Sequence, residues 1–344
     1  MTGPGPGRDL APEPAPEPVP RPGPYGSLAR ALAEGPLLLD GGLSNELETY
    51  GCDLSDTLWS ARLLVDDPDR ITAAHRAYVR AGARVLITAS YQASFEGFAR
   101  RGLDRGRAAA MFGRSVRLAR AAADDAPGPG AGAASGGAAG PVWVAGSVGP
   151  YGAVLADGSE YRGRYGLTVR ELERFHRPRV AALAAAGPDV LALETVPDLR
   201  EAEALLRAVR GCGVPVWLSY TVAGGRTRAG QPLDEAFDVA AGRDEVIAVG
   251  VNCCAAEEVD HAVEIAAART GKPVVAYPNS GESWDPRRQA WHGAASFAPR
   301  RVHGWLARGA RLVGGCCRVG PHDVAALGRA MATTEPPGAD AAVG

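Results

Sequence analysis

Val246-Ile247-Ala248-Val249-Gly250-Val251 is a continuous apolar run that ends abruptly in Asn252-Cys253-Cys254. Unbroken apolar sequence of this length suits a strand covered on both faces, as in a parallel sheet. Working outward, the same design recurs. Leu37-Leu38-Leu39 runs into Asp40, Val85-Leu86-Ile87 into Thr88, Val142-Trp143-Val144 into Ala145, and Val190-Leu191-Ala192-Leu193 into Glu194. Val216 to Tyr220, Val274 to Tyr277 and Arg311 to Gly315 complete eight strand candidates. Between them Ile71–Arg80, Ala108–Ala123, Val169–Ala186, Leu199–Val209, Glu257–Arg269 and Phe297–Arg308 carry apolar residues at helical spacing. Gly82, Gly187, Gly271 and Gly309 follow helical patterns as C-cap residues. Eight βα units in one α/β chain predict a single (β/α)8 TIM-type barrel. The alternative, an open doubly wound sheet, lacks the Gly-x-Gly-x-x-Gly turn after its first strand that would mark a dinucleotide fold.

The remaining chain bounds the reading. Its 344 residues include 46% hydrophobic and 22% charged residues, ample for a large core. A net charge of −2 argues against a nucleic-acid-binding face, and no apolar run approaches the ~20 residues of a membrane span. Residues 1–24 are a Pro/Gly-rich stretch without the apolar core of a secretory signal and read as a disordered tail. Residues 25–335 form the expected barrel domain, interrupted by a Gly/Ala-rich loop at 127–141, and 336–344 a disordered C-terminus. A cytoplasmic location is the default expectation.

In a barrel, chemistry collects at the C-terminal ends of the strands. Here those ends carry Asp40-Gly41-Gly42, Glu194-Thr195, Asn252-Cys253-Cys254 and Cys316-Cys317-Arg318. Two vicinal cysteine pairs in a long chain fit a disulfide framework poorly. Cys253, Cys316 and Cys317 fall on strands two βα units apart, and three thiolates around one centre suit Zn²⁺ with its fourth position open. Small buried hydrophobes or a redox pair are the other readings of the same cysteines. A zinc centre with three thiolates carries formal charge −1. It is a poor maker of hydroxide and a good holder of a fourth thiolate, whose sulfur stays electron-rich. Alkyl transfer to a substrate thiol is the natural chemistry. Asp40 and Glu194 are candidates for binding an ammonium group; capping a turn, or pairing with an arginine, are their structural alternatives. An acid that ends an apolar strand is costly without a partner. His75, His176, His261, His292, His303 and His322 each read as surface or core hydrogen-bonding residues rather than as an acid or base.

At this point the residues resemble a known family. Leu39 to Glu48, Ile87 to Ala93, Ala145 to Gly152, Asp157 to Gly163, Phe175 to Arg179, Glu194-Thr195, Gly250 to Cys253, Tyr277 to Glu282 and Val313 to Arg318 match the zinc-dependent homocysteine S-methyltransferases. The match is closest to the S-methylmethionine-using type and runs from about Leu28 to Met331. The resemblance implies one Zn²⁺ held by Cys253, Cys316 and Cys317, with the homocysteine sulfur in the fourth position. It implies that Asp40 and Glu194 bind the substrate amino group, and that Thr88 and backbone near Gly41 contact its carboxylate. Cys254 stands where relatives often carry no thiol and is expected to be a bystander. The partners implied are small molecules: L-homocysteine and a sulfonium donor, S-methylmethionine first and S-adenosylmethionine second. Betaine-type donors and selenium acceptors (selenocysteine, selenohomocysteine) are alternatives. Tyr91, Tyr151, Tyr277 and Trp284 lie just past strand ends and are candidates for cation–π contact with the donor. Asp157 to Tyr165 is expected to act as a lid. A zinc hydrolase would call for His and carboxylate ligands instead. A barrel with structural zinc, closed by Cys254 as fourth ligand, would be a binding protein rather than an enzyme.

Overall fold

Strands that are apolar on both faces need cover on both, and the chain supplies it by closing the sheet on itself. The computed structural model describes residues 27–126, 140–285 and 290–333. The expected tail 1–24, nearly all of the loop 127–141, and the C-terminus 336–344 lie outside the described residues. The barrel strands are β1 (Leu37–Leu38), β2 (Val85–Ile87), β3 (Trp143–Val148), β4 (Val190–Val196), β5 (Val216–Tyr220), β6 (Val246–Asn252), β7 (Val274–Tyr277) and β8 (Ala310–Val313). Each pairs in parallel with its neighbours, and β8 pairs with β1. The ring closes where Leu39 bridges Val85, with the Arg84 amide donating to Leu38 O at 2.7 Å and the Asp40 amide to Val85 O at 3.0 Å. All eight expected strands are present, in a (β/α)8 barrel.

Two apolar layers result. Leu39, Val85, Trp143, Val190, Trp217, Ala248, Val275 and Leu312 fill the barrel interior. The first helix, α1 (Leu28–Glu34), closes its floor with Leu28 and Leu32, and Ser27 caps it by accepting from the Arg30 amide. The larger layer lies between the strands and the outer helices. Strands approach closely where side chains are absent: a Cβ on Gly250 would stand 2.1 Å from Val275 O.

The long outer helices follow the sequence pattern: Pro68–Arg80, Arg105–Asp124, Val169–Ala185, Leu199–Ala208, Ala256–Thr270. One expectation is corrected. In place of a helix over Phe297–Arg308, a 3-10 turn at Pro299–Arg301 leads into a helix confined to Val302–Ala307. Pro299 forces Ala298 into extended geometry (φ −114°, ψ 108°), so the helix begins only after it. The short helices Leu43–Thr49, Phe95–Arg100, Leu233–Asp238 and the longer Pro321–Ala332 were not expected from periodicity. Among the described residues no helix is long and apolar enough to cross a membrane.

Candidate metal centre and substrate chamber

The residues at the C-terminal mouth are held by backbone that departs from regular strand. Thr195 (φ 58°), Cys253 (φ 54°) and Arg318 (φ 61°) all adopt left-handed geometry without being glycine. Such strain survives only where the surroundings fix it, and it clusters at functional sites. Here the fixing groups are visible. Asn252 accepts the Thr195 amide and donates to its hydroxyl, both at 2.7 Å. The Cys253 carbonyl accepts from the Thr221 hydroxyl at 3.0 Å, and its amide donates to Tyr277 O at 3.1 Å. The loop after β8 is tied to the end of β7. The Cys316 amide donates to Pro278 O at 2.6 Å, the Cys317 amide to Asn279 Oδ1 at 3.1 Å, and the Arg318 amide to Asn45 Oδ1 at 2.7 Å.

These constraints aim three sulfurs at one point. Cys253 Sγ lies 3.6 Å from Cys317 Sγ, and Cys316 Sγ lies 4.0 Å from Cys317 Sγ. All three lie within 4.8 Å of one another. Tetrahedral zinc with Zn–S near ~2.3 Å places its sulfurs roughly 3.8 Å apart. The spacing therefore fits a metal and is too long for a disulfide, and all six cysteines are free. Hydrogen bonds from Cys316 and Cys317 favour the Cys253 thiolate, and the anion formed there pushes the Cys316 thiol up. Cys254 turns the other way, into the apolar layer under the helices, where burial pushes its thiol up.

Beside the sulfurs lie the two acids. Asp40 is fully buried; Oδ2 accepts the Ile87 amide at 2.7 Å and Oδ1 accepts the Tyr277 hydroxyl at 2.9 Å. Burial still dominates and pushes its carboxyl up to about 8. Glu194 accepts the Ser147 hydroxyl, and burial raises its carboxyl to about 7. Among the described residues neither acid pairs with an arginine. Gly41 has no room for a side chain, because a Cβ would stand 2.3 Å from Val319 O. Tyr78 pins this junction from below, donating to Gly42 O and Val319 O.

The other candidates divide. Thr88 is buried, accepts the Ser147 amide at 3.0 Å and contacts the Ser90 hydroxyl at 2.8 Å, so its hydroxyl already joins β2 to β3. Tyr91 stands edge-on to Trp59 at 6.4 Å, close enough to Cys253 to feel its charge. The Tyr277 hydroxyl is engaged with Asp40 and Gly41 O. Tyr151 packs edge-on against Tyr165 and Phe175. Trp284 falls in the strand Ser283–Asp285, and its side chain lies outside the described residues. Tyr161, expected as part of the Asp157 to Tyr165 lid, places its hydroxyl 3.1 Å from Cys253 Sγ, and three further groups at the site carry no role from the sequence: Ser147 on Glu194, Asn252 on Thr195 and Arg228 near Cys253. Only Ser147 and Asn252 left a trace in sequence, as polar residues inside apolar strands.

Behind the mouth sits a fully buried ionic network. Arg179 donates to the carbonyls of Tyr91, Ala93 and Gly149, and Glu201 receives His176 Nε2, the Tyr151 amide and the Tyr165 hydroxyl. It holds the loops after β2 and β3 in place, and it uses His176 for structure.

Fold and site together define a barrel that gathers three cysteine sulfurs, spaced as a metal could be held, next to two buried acids. The comparisons agree. The family model for homocysteine S-methyltransferase matches residues 37–331. Homocysteine S-methyltransferase of Escherichia coli K12 is 46% identical over 300 residues, covering 85% of this chain and 94% of that protein. Homocysteine S-methyltransferase YbgG of Bacillus subtilis 168 is 42% identical over 318 residues, covering 87% and 96%. The crystal structure of the metallated E. coli homocysteine methyltransferase MmuM superposes with a TM-score of 0.76 at 45% identity, covering 87% of this chain and 98% of that one. The chain belongs to the homocysteine S-methyltransferase family and is an enzyme of methyl transfer to homocysteine.

Proposed function

We propose that the chain forms methionine by moving the methyl group of a sulfonium compound, S-methylmethionine first among them, to homocysteine at a zinc site made by Cys253, Cys316 and Cys317. The single observation that carries this is the spacing of three convergent sulfurs, matched to a tetrahedral metal, with no fourth protein ligand in the group among the described residues. The E. coli relative is described in a metallated form, which supports a metal here. When bound, Zn²⁺ would keep the homocysteine sulfur as a thiolate at neutral pH.

The protein's own groups then orient the reactants. Asp40 and Glu194 take the ammonium group of homocysteine and ionise as they do so. Backbone at Gly41, with the Thr88 hydroxyl if it turns from Ser90, meets the carboxylate. Tyr91, flanked by Trp59, offers a ring face to a cationic donor. Tyr151, Tyr277 and Trp284 belong to the same rim of the barrel. The homocysteine sulfur forms its bond to the methyl carbon as the donor's sulfur–carbon bond breaks. The electron pair of the breaking bond stays on the donor sulfur, which leaves as a neutral thioether. No proton has to be delivered, consistent with His75 buried in the core and His176 engaged with Glu201. Catalysis rests on alignment and on the activated nucleophile.

The test is methionine formation by the purified protein from homocysteine, with S-methylmethionine and S-adenosylmethionine in parallel arms. Turnover that stops with a chelator and returns with zinc is the expected result. A fully active protein freed of zinc would sink the proposal.

A further inference from the structure

Two buried polar atoms near the sulfurs have no hydrogen-bond partner: Glu160 Oε2 and Arg228 Nε. Each flanks Tyr161, whose hydroxyl touches Cys253 Sγ. Glu160 precedes Tyr161 in the 3-10 turn Ser159–Tyr161, and the Arg228 guanidinium carbon lies 5.5 Å from the centre of the Tyr161 ring. Among the described residues Arg228 forms no side-chain hydrogen bond or ion pair. Both residues are half-buried, but leaving a buried polar atom unpartnered is costly, so a ligand that completes both gains what the free protein lacks.

The two groups sit in one frame. The Arg164 amide donates to Asp198 Oδ2 at 3.1 Å, and the Arg164 guanidinium to Ala229 O at 2.5 Å. Gln231 Nε2 reaches Asp198 Oδ1 at 3.0 Å, and the Ala229 amide reaches Pro197 O at 2.9 Å. The loop after β3 and the segment after β5 are thus pinned to the same anchor at the end of β4. Burial raises the Glu160 carboxyl to about 7, which suits a group awaiting a cation. Asp40 and Glu194, on β1 and β4, already serve the amino group of homocysteine in the reading above.

We propose that Glu160 and Arg228 form a second amino-acid site, which holds the headgroup of the methyl donor: Glu160 its ammonium, Arg228 its carboxylate. The inference rests on the sulfonium-donor reading. It makes the enzyme selective for sulfonium donors built on an α-amino acid. The headgroup does not change charge during transfer, so these contacts act on donor capture and leave the chemical step alone.

The experiment uses zinc-loaded full-length enzyme, Glu160→Gln and Arg228→Gln variants, and three donors. S-Methylmethionine carries both headgroup charges, dimethylsulfoniopropionate only the carboxylate, and trimethylsulfonium neither. Glu160→Gln should lower kcat/KM for S-methylmethionine about tenfold or more and leave the other two donors unchanged. Arg228→Gln should lower it for the two carboxylate-bearing donors and spare trimethylsulfonium. The homocysteine KM should hold in both variants, which also reports an assembled site. Equal losses with all three donors, a rise in homocysteine KM in place of the donor effect, or unchanged kinetics would each overturn the inference. Wild-type enzyme that neither turns over nor calorimetrically binds S-methylmethionine would instead remove the donor reading itself, and this inference with it.

Discussion

Burial holds Asp40 mostly protonated at neutral pH, and that makes amino-acid binding depend on pH in a calculable way. With its carboxyl at about 8, roughly nine in ten molecules carry neutral Asp40 at pH 7. An ammonium ion wants the carboxylate, so binding must expel that proton. The cost is about 1.4 kcal/mol at pH 7 and doubles at pH 6. Ionising Asp40 in the complex should by itself raise affinity about 50-fold between pH 6 and pH 8 before levelling off, and ionising Glu194 should multiply that about tenfold. Methionine is the ligand to use, because it shares the headgroup but has no thiol to titrate, and it remains an ammonium ion across this range. Calorimetry in buffers of different ionisation enthalpy should show close to one proton released per methionine at pH 7, with Glu194, raised to about 7, adding a fraction. Asp40→Asn should flatten the profile to the part that Glu194 provides. The same group shapes stability with the opposite sense. Folding raises its pKa above the ordinary 3.8, so the folded state holds the proton more tightly. The stabilisation present below about pH 4 is lost as pH climbs to about 8, and the ligand-free Tm should fall across that window. Methionine affinity that is flat from pH 6 to 8, or a slope unchanged in Asp40→Asn, would refute the reasoning.

Three further outcomes follow from particular contacts. Cys316→Ser removes one of three sulfurs and should lose both zinc and turnover, read by metal analysis beside activity; full retention of both would mean the ligand set is wrong. Tyr161→Ala opens the turn over Cys253 and should raise the donor KM, while unchanged kinetics would show that the Asp157 to Tyr165 segment does not cover the donor. Gly149→Ala places a Cβ 2.6 Å from Tyr91 O and 2.7 Å from its ring, so Tyr91 must shift. It should cost about 1–3 kcal/mol in thermal unfolding and at least tenfold in kcat/KM; a variant with wild-type kinetics would show that Tyr91 does not line the donor path.

The eight strands and their order were legible in the amino-acid pattern, because a strand apolar on both faces shows as a short unbroken run and its chemistry-bearing end as the first polar residue after it. The same pattern told that Cys253, Cys316 and Cys317 share a mouth with Asp40 and Glu194, since parallel strands put every such end on one side. The short helices escaped, being too brief to show a period, and Pro299 cut one expected helix to its second half. The direction in which side chains face where the chain stops being regular depends instead on contacts made in the fold. Cys253 enters the site and Cys254 the core because Thr221 and Tyr277 hold Cys253 in a left-handed turn, and Thr195 keeps its turn because Asn252, far along the chain, bonds to it twice. Tyr161 reaches Cys253 Sγ, with Glu160 and Arg228 beside it, through loops fastened at Asp198. Periodicity is a property of neighbours in sequence, whereas these placements come from hydrogen bonds between residues tens of positions apart, which no local pattern records.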